Sequence, residues 1–352
     1  MSVLDKLKKN STIKEASILS KSKFFNQKDF VQTTVPALNV ALSGQLDGGV
    51  SSGLTVFAGP SKHFKTAFAM LLAKAYLDKY DDAVILFYDS EFGAPQGYFD
   101  SFGIDTERVI HSPIADIEQL KHDVMSQMNG LERGDKVMII VDSVGNLASK
   151  KEVDDAIDGK SVADMTRAKQ MKSLFRMITP HLTMKDFPAV VVNHTYKEIG
   201  MFPKDIVSGG TGIYYSADNI FIIGRQQEKQ GKDVVGYNFI INVEKSRYVR
   251  EKSKIPIEVS WEGGISKWSG LLDMALESGH VVKPSNGWYA KSGEDDAKKY
   301  RTKDTYTKEF WLPILTDQSF ISWIEKRYMI SSDAIMQAEV SEADIEDAYE
   351  NL

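Results

Sequence analysis

The sequence predicts an α/β protein organised on a mostly parallel central sheet, and three observations carry that prediction. Residues 54–58, Leu-Thr-Val-Phe-Ala, form an apolar run that breaks at Gly59, passes through a short polar turn to Lys65 and Thr66, and continues as a helical stretch from Ala67. Further apolar runs of strand length at 83–88, 136–142 and 188–194 end in polar residues, and helical spacing separates them at 118–131 and 161–182. Near-continuous apolar runs alternating with helices are the pattern of strands buried on both faces by crossover helices.

Taken in order, the first thirty or so residues mix Lys, Ser and Leu and read as an amphipathic helix with a tail, an arm spanning 1–32. The alternation begins at Thr33. Runs at 219–224, 237–243 and 255–261 lack intervening helices, so an antiparallel extension of the sheet is expected there. From Ser269 come a helix, a Pro/Gly/aromatic piece around Pro284 to Tyr289, a polar loop near 294–304 and a helix near 308–328, together a small C-terminal module. The last stretch holds Asp333, Glu339, Glu342, Asp344, Glu346, Asp347 and Glu350 without Lys or Arg, the composition of a mobile, solvated tail. The expected divisions are 1–32, a core at 33–270, a module at 271–330 and a tail at 331–352.

Composition narrows the classes. The chain has 352 residues, long enough for one large domain with appendages or for two domains. It has no cysteine, which excludes a disulfide framework, cysteine-type zinc sites and thiol nucleophiles. Its six histidines show no metal-ligand spacing. A formal charge of −6 argues against nucleic-acid binding through general basicity, while leaving room for a local basic surface. No secretory signal and no membrane-length apolar run is visible, so an intracellular, cytoplasmic location is expected.

The candidate chemistry starts at the turn. In a P-loop, backbone N–H groups at the positive end of a helix surround a polyphosphate, a lysine reaches the β- and γ-phosphates, and a hydroxyl sits on Mg²⁺. Gly59, Pro60, Ser61, Lys62, His63, Phe64, Lys65 and Thr66 fit that plan, except that Phe64 stands where a second glycine is usual. Phenylalanine resists φ > 0, so the loop either takes another path or carries strain. The plain alternative is an ordinary strand-to-helix turn containing Lys-Thr. Asp142 ends an apolar strand, the position of an acid that holds Mg²⁺. Glu91, just past the strand at 83–88, is placed to orient a water for in-line attack on a γ-phosphate, against the plainer reading of a surface acid. His194, also at a strand end, is either a structural histidine or a contact to that phosphate or water. It opens a long glycine-rich connection at 197–212. Lys245, Arg247, Arg250, Lys252 and Lys254 form a basic run, which reads as a solvated strand face or, in a head-to-tail assembly, as cations for a neighbour's nucleotide.

These motifs resemble the RecA/UvsX family of ATP-dependent DNA recombinases, most of all its phage branch. The resemblance rests on the loop at 59–65, on Phe87-Tyr88-Asp89-Ser90-Glu91-Phe92-Gly93, on the stretch from Asp142 through Asn146 to Glu152, on Asp164 to Lys169, on Asn193-His194-Thr195-Tyr196 and on Val243 to Arg247. It runs from the Ser22-Lys23-Phe24-Phe25 arm to about Tyr289. It implies a RecA-like P-loop ATPase core that uses ATP and Mg²⁺ and forms a helical filament, a homo-oligomer, on single-stranded DNA. That filament pairs its strand with homologous double-stranded DNA, and single-strand-binding and mediator proteins serve it. By the same resemblance Glu91 is similar to the catalytic carboxylate, Tyr98 to the aromatic on adenine, and His194 to a γ-phosphate sensor. Lys245 and Arg247 look like the pair that reaches a neighbour's ATP, and Phe24 and Phe25 like subunit contacts. Segments 152–165 and 197–216 look like two DNA-binding loops, with Arg167, Lys169 and Arg176 beside the first and Met201, Phe202, Gly209 and Gly210 in the second. A ring-shaped DNA motor and a non-hydrolysing scaffold on the same core are the rivals. The arm before the core argues against the first, and intact Lys65, Thr66, Glu91 and Asp142 argue against the second.

Overall fold

The computed structural model describes residues 2–22, 24, 29–160, 165–201, 203–293 and 298–330. Phe25, Phe202, residues 161–164 and the acidic tail lie outside them. Eleven helices and thirteen strands follow along the described residues. The first half runs α1 Val3–Asn10, α2 Pro36–Ser43, β1 Gly53–Ala58, α3 Lys65–Lys79, β2 Val84–Asp89, α4 Gln96–Ser101, β3 Val109–Pro113, α5 Ile117–Gly130, β4 Val137–Asp142 and α6 Lys150–Ile157. The second half begins with α7 Thr166–Lys185, β5 Pro188–Asn193, β6 Thr195–Lys197, β7 Asp205–Val207, α8 Thr211–Ser216, β8 Asn219–Gln230, β9 Asp233–Ser246, β10 Lys254–Ser260 and β11 Gly264–Ile265. It ends with α9 Leu271–Glu277, β12 Val281–Ser285, β13 Trp288–Lys291, α10 Lys308–Leu315 and α11 Gln318–Tyr328.

Nine strands form the central sheet in the order β11-β10-β9-β8-β1-β5-β4-β2-β3. From β8 to β3 every neighbouring pair is parallel, and β9, β10 and β11 add on antiparallel, as the helix-free runs led one to expect. β1, β4 and β5 are buried along their whole length. Alternate residues serve opposite faces. Phe57, Ile85, Phe87, Met138 and Ile140 join the core under α2 and α3, whereas Leu54, Val56, Leu86, Tyr88, Ile139 and Val141 join the core under α5 and α7. Local chemistry explains the boundaries. Pro36 opens α2 and Gly44, at φ 80°, ends it. The Asp116 side chain accepts from the N–H of Gln119 at the start of α5.

Three features depart from the linear reading. Edge strand β3 is half-exposed and carries His111 and Ser112, so it lacks the apolar run that marks a buried strand. The helix near 308–328 is two helices, because the Asp317 side chain caps a new start at α11. The aromatic piece at 284–289 is a hairpin, β12 and β13. Phe310, Trp311 and Phe320 of the C-terminal helices share the core of α2 and α3. By contrast, α1 buries no residue and leaves Val3, Leu4 and Leu7 exposed. Among the described residues no helix is long and apolar enough to cross a membrane.

Candidate active site

The register brings the strand ends together: Ala58 pairs with Asn193 and Asp89 with Asp142. The carboxyl ends of β1, β5, β4 and β2 therefore open on one edge of the sheet, where ligands sit in such folds. The turn after β1, Glu91 after β2, Asp142 at the end of β4 and His194 after β5 line a cleft of about 330 Å³.

The turn is a P-loop in shape. Phe64 takes φ 62° and Lys62 φ 61°, so two non-glycine residues sit in the left-handed region. Of the two outcomes the sequence left open, the loop keeps its path and carries strain. The Phe64 ring stacks on Phe239 at 4.7 Å and meets Phe68 edge-on at 5.6 Å, contacts that offset the conformational cost. Lys65 Nζ donates to the Pro60 carbonyl at 2.8 Å, arching over the turn. Burial lowers the Lys65 pKa, and the carboxylates of Glu91 and Asp142 oppose that shift.

Thr66 Oγ1 donates to Asp142 Oδ2 at 2.7 Å. The other oxygen, Oδ1, is buried with no hydrogen-bond partner among the described residues. Burial pushes the Asp142 carboxyl up to about 6, the Thr66 hydroxyl opposing and the Glu91 and Asp89 charges adding. A buried, unpaired carboxylate oxygen beside a hydroxyl suits a small oxygen-seeking cation, so these residues fit Mg²⁺ held with substrate phosphates.

Glu91 is fastened from several sides. Asp89 Oδ1 accepts from the backbone N–H of Glu91 at 3.0 Å and of Phe92 at 2.7 Å. Glu91 Oε1 accepts from Ser143 Oγ at 2.5 Å and Asn146 Nδ2 at 3.1 Å, and it pairs with His194 Nε2 at 2.8 Å. Since a carboxylate only accepts, Nε2 is assigned the proton. The bond from His194 holds the Glu91 carboxyl below its ordinary range, Ser143 adding and burial opposing. Ser143 and Asn146 had no role in the sequence reading, although they stand directly after the strand-end acid. Gly145 is required beside them, because a Cβ there would lie 2.4 Å from the His194 ring. Tyr98 lines the cleft and packs edge-on against Phe102 at 5.3 Å, and burial raises its hydroxyl to about 12.

The remaining candidates lie elsewhere. Register pairs Ser246 with Asn219 and Asn219 with Thr55, so Lys245 and Arg247 occupy the amino edge of the parallel strands, opposite the cleft. Lys245 Nζ donates to the carbonyls of Tyr214 and Ala217, and Arg247 Nε pairs with Asp218 at 2.7 Å. Lys169 and Arg176 are exposed on α7, and Met201 is exposed beyond β6. Gly209 and Gly210 have φ 95° and 73° just before α8. Arg167 turns inward, onto backbone carbonyls of the 144–147 turn. The Arg133 guanidinium lies 5.4 Å over the Phe24 ring. A second cleft of about 420 Å³, between residues 250–256 and the helices α9 and α11, contains none of the strand-end residues.

Fold and cleft together define a P-loop nucleotide-binding protein. The family model of the RecA N-terminal domain matches residues 3–266, and that of the bacteriophage T4 recombination and repair protein C-terminal domain matches 268–324. The chain is 51% identical over 348 residues to the recombination and repair protein of Enterobacteria phage T4, covering 96% of this chain and 89% of that protein. It is 27% identical over 270 residues to protein RecA of Paenarthrobacter aurescens, 74% of each chain, and 27% identical over 272 residues to protein RecA of Streptomyces coelicolor, 76% of this chain and 69% of that one. This chain belongs to the RecA family, in the branch of the phage T4 protein.

Proposed function

We propose that this chain is an ATP-dependent recombinase that coats single-stranded DNA as a helical filament of its own copies and pairs it with a homologous duplex for strand exchange. The carrying observation is Glu91, held by three side-chain donors at the mouth of a cleft that also contains Lys65, Thr66 and Asp142, in a chain of the RecA family. The similar phage T4 protein is named for recombination and repair, and the RecA relatives share the core.

In this reading ATP occupies the cleft with its phosphates in the turn at 59–66 and its base toward Tyr98. Thr66 and Asp142 would hold Mg²⁺, whose chemistry there would be to neutralise charge on the nucleotide's phosphates. Lys65 leaves the Pro60 carbonyl for phosphate oxygens. Glu91 aligns a water whose oxygen bonds to the γ-phosphorus as the bond to the bridging oxygen breaks, releasing ADP and phosphate. His194, bonded to the same Glu91 oxygen, answers to the γ-phosphate. Lys245 and Arg247, at the far edge of the sheet, serve a neighbouring subunit's nucleotide after exchanging their internal partners, in the manner of cations acting in trans.

An acidic protomer is compatible with this role. A few cations and backbone N–H groups per subunit, repeated along a groove, are enough for phosphate contacts, and base pairing reads the sequence. Lys169 and Arg176 with the glycines at 209–210 form that groove, the arm at 1–32 joins neighbours, and residues 33–270 hold the ATPase. The module at 271–330 and tail at 331–352 complete the chain. Single-strand-binding and mediator proteins are the expected partners, in the cytoplasm, which is that of the host cell if the chain is phage-encoded.

The test is ATP hydrolysis with and without single-stranded DNA, alongside Glu91→Gln, with filaments viewed by electron microscopy. Strong stimulation by DNA, with a variant that coats DNA yet does not hydrolyse, supports the proposal. No stimulation, with only rings or monomers on the grid, overturns it in favour of a motor or scaffold.

A further inference from the structure

The turn at 143–147 touches three elements at once. Ser90 Oγ donates to the Ser143 carbonyl at 2.7 Å and accepts its N–H at 3.0 Å, tying the turn to the segment that carries Glu91. Gly145 lies under the His194 ring, at the root of the hairpin β6–β7. On the third side stands Arg167, in the first turn of α7. Its Nε donates to the Leu147 carbonyl at 2.7 Å, and Nη2 to the Gly145 and Val144 carbonyls at 2.7 and 3.3 Å. Those carbonyls are the backbone of the turn that aims Ser143 Oγ and Asn146 Nδ2 at Glu91 Oε1.

We infer that Arg167 is a positioning residue for hydrolysis: it braces the 143–147 turn, and through Asn146 and Ser143 it couples the start of α7 to the orientation of Glu91. The inference rests on the ATPase reading above and departs from a phosphate-contact role for this arginine. Arginine is the side chain that suits the task, because its rigid planar fork presents five N–H donors and spans several acceptors at once, whereas a lysine ammonium is one point charge on a flexible stem. Lys169 and Arg176, on the same helix, are exposed and make no such contacts in the turn, which leaves them for DNA. α7 begins directly after the segment expected to be the first DNA loop. A strand bound there that shifts α7 would be felt at Glu91 through the hydrogen bonds of Arg167 to the turn, the turn's backbone, and the hydrogen bonds of Ser143 and Asn146 to Glu91.

The experiment compares Arg167→Lys and Asn146→Ala with the wild-type chain in ATP hydrolysis at saturating single-stranded DNA. Affinity for a fluorescent oligothymidine is measured over a salt series with a hydrolysis-resistant ATP analogue, and thermal melting is followed in parallel. The expected result is a fall in kcat of about ten- to a hundredfold for Arg167→Lys, the scale of a small misplacement of a catalytic group. KM for ATP, the DNA affinity and the melting temperature stay close to wild type. Asn146→Ala shows the same signature, and the double variant is no worse than the poorer single one, since both cut the same link. Wild-type kcat in Arg167→Lys overturns the inference. So does weaker DNA binding with a salt slope lower by about one, the mark of a lost phosphate contact. A wild-type chain whose hydrolysis ignores DNA overturns the recombinase reading itself, which separates that failure from this one.

Discussion

Asp142 and Phe64 each hold an unfavourable state that the surrounding protein maintains. For Asp142 the cost is burial: its carboxyl titrates near 6, well above the ordinary 3.8. Between those values the folded state binds more protons at Asp142 than the unfolded one does, so this group's contribution to stability is most favourable below its ordinary pKa and falls as pH rises through about 6. The size is about 3 kcal/mol from the two-unit displacement. Asp142→Asn is therefore expected to raise the melting temperature of the nucleotide-free protein at pH 7.5 by a few degrees and to abolish the stabilisation that Mg²⁺ and ATP give the wild type. Calorimetry at pH 5 and 7.5 checks the sign: a destabilised variant at pH 7.5 contradicts it. At Phe64 the left-handed backbone costs about 1 kcal/mol or more for any residue with a Cβ. Both Phe64→Ala and Phe64→Gly lose the stacking on Phe239, but only glycine also removes the backbone cost. Urea titration should find the glycine variant the more stable of the two by about 1 kcal/mol. Equal stability, or the reverse order, would show that the φ of 62° is not a liability here.

Elements differ in how firmly the fold holds them. α1 has a capping box between Ser2 and Asp5 but no buried residue, so its apolar positions contribute nothing to the stability of the single subunit. Deleting residues 2–10 should leave the melting temperature of the monomer within about 2 °C of wild type while removing self-assembly on DNA, read by light scattering or electron microscopy. A large loss of stability would place the helix in this subunit's own core. α8 is the opposite case. Gly212 approaches α7 so closely that a Cβ would lie 2.7 Å from the Lys172 backbone. Gly212→Val must push the two helices apart, a cost of about 1–3 kcal/mol by overpacking, visible as a lower urea midpoint.

Over the whole molecule, charge is distributed unevenly. The formal charge is −6, and the seven acids at 331–352 account for all of it and more. Removing them should strengthen duplex binding at low salt, because the truncated chain is no longer net acidic. Filter binding at two salt concentrations with unchanged affinities would dismiss the idea. If the proposed assembly forms, Lys245 and Arg247 face away from their own subunit's cleft: Lys245 is level with Ile220 and Val56, before β1 ends at Ala58, and Arg247 lies further toward the amino edge of the sheet.

Much of this was legible in the linear chain. The parallel strands announce themselves because strands buried on both faces must be apolar throughout, and the P-loop does so because phosphate binding restricts its residue types. Lys65, Thr66, Glu91, Asp142 and His194 all lie at strand ends or in the turns after them, and the structure brings them into one cleft. What the linear chain did not reveal depends on contacts between residues far apart in it. Edge strand β3 lacks an apolar run, so only its pairing with β2 defines it. The tolerance of Phe64 depends on Phe239, 175 positions away, and the hold on Glu91 depends on Ser143 and Asn146 arriving from another strand. Arg167 looked like one more cation near DNA, and only the fold turns it onto the 144–147 carbonyls. Periodicity and turn chemistry are local, so the linear chain carries the buried strands, most of the helices between them and the candidate residues at the strand ends. Which groups partner which is set by packing across the sheet, between positions that lie far apart in the chain.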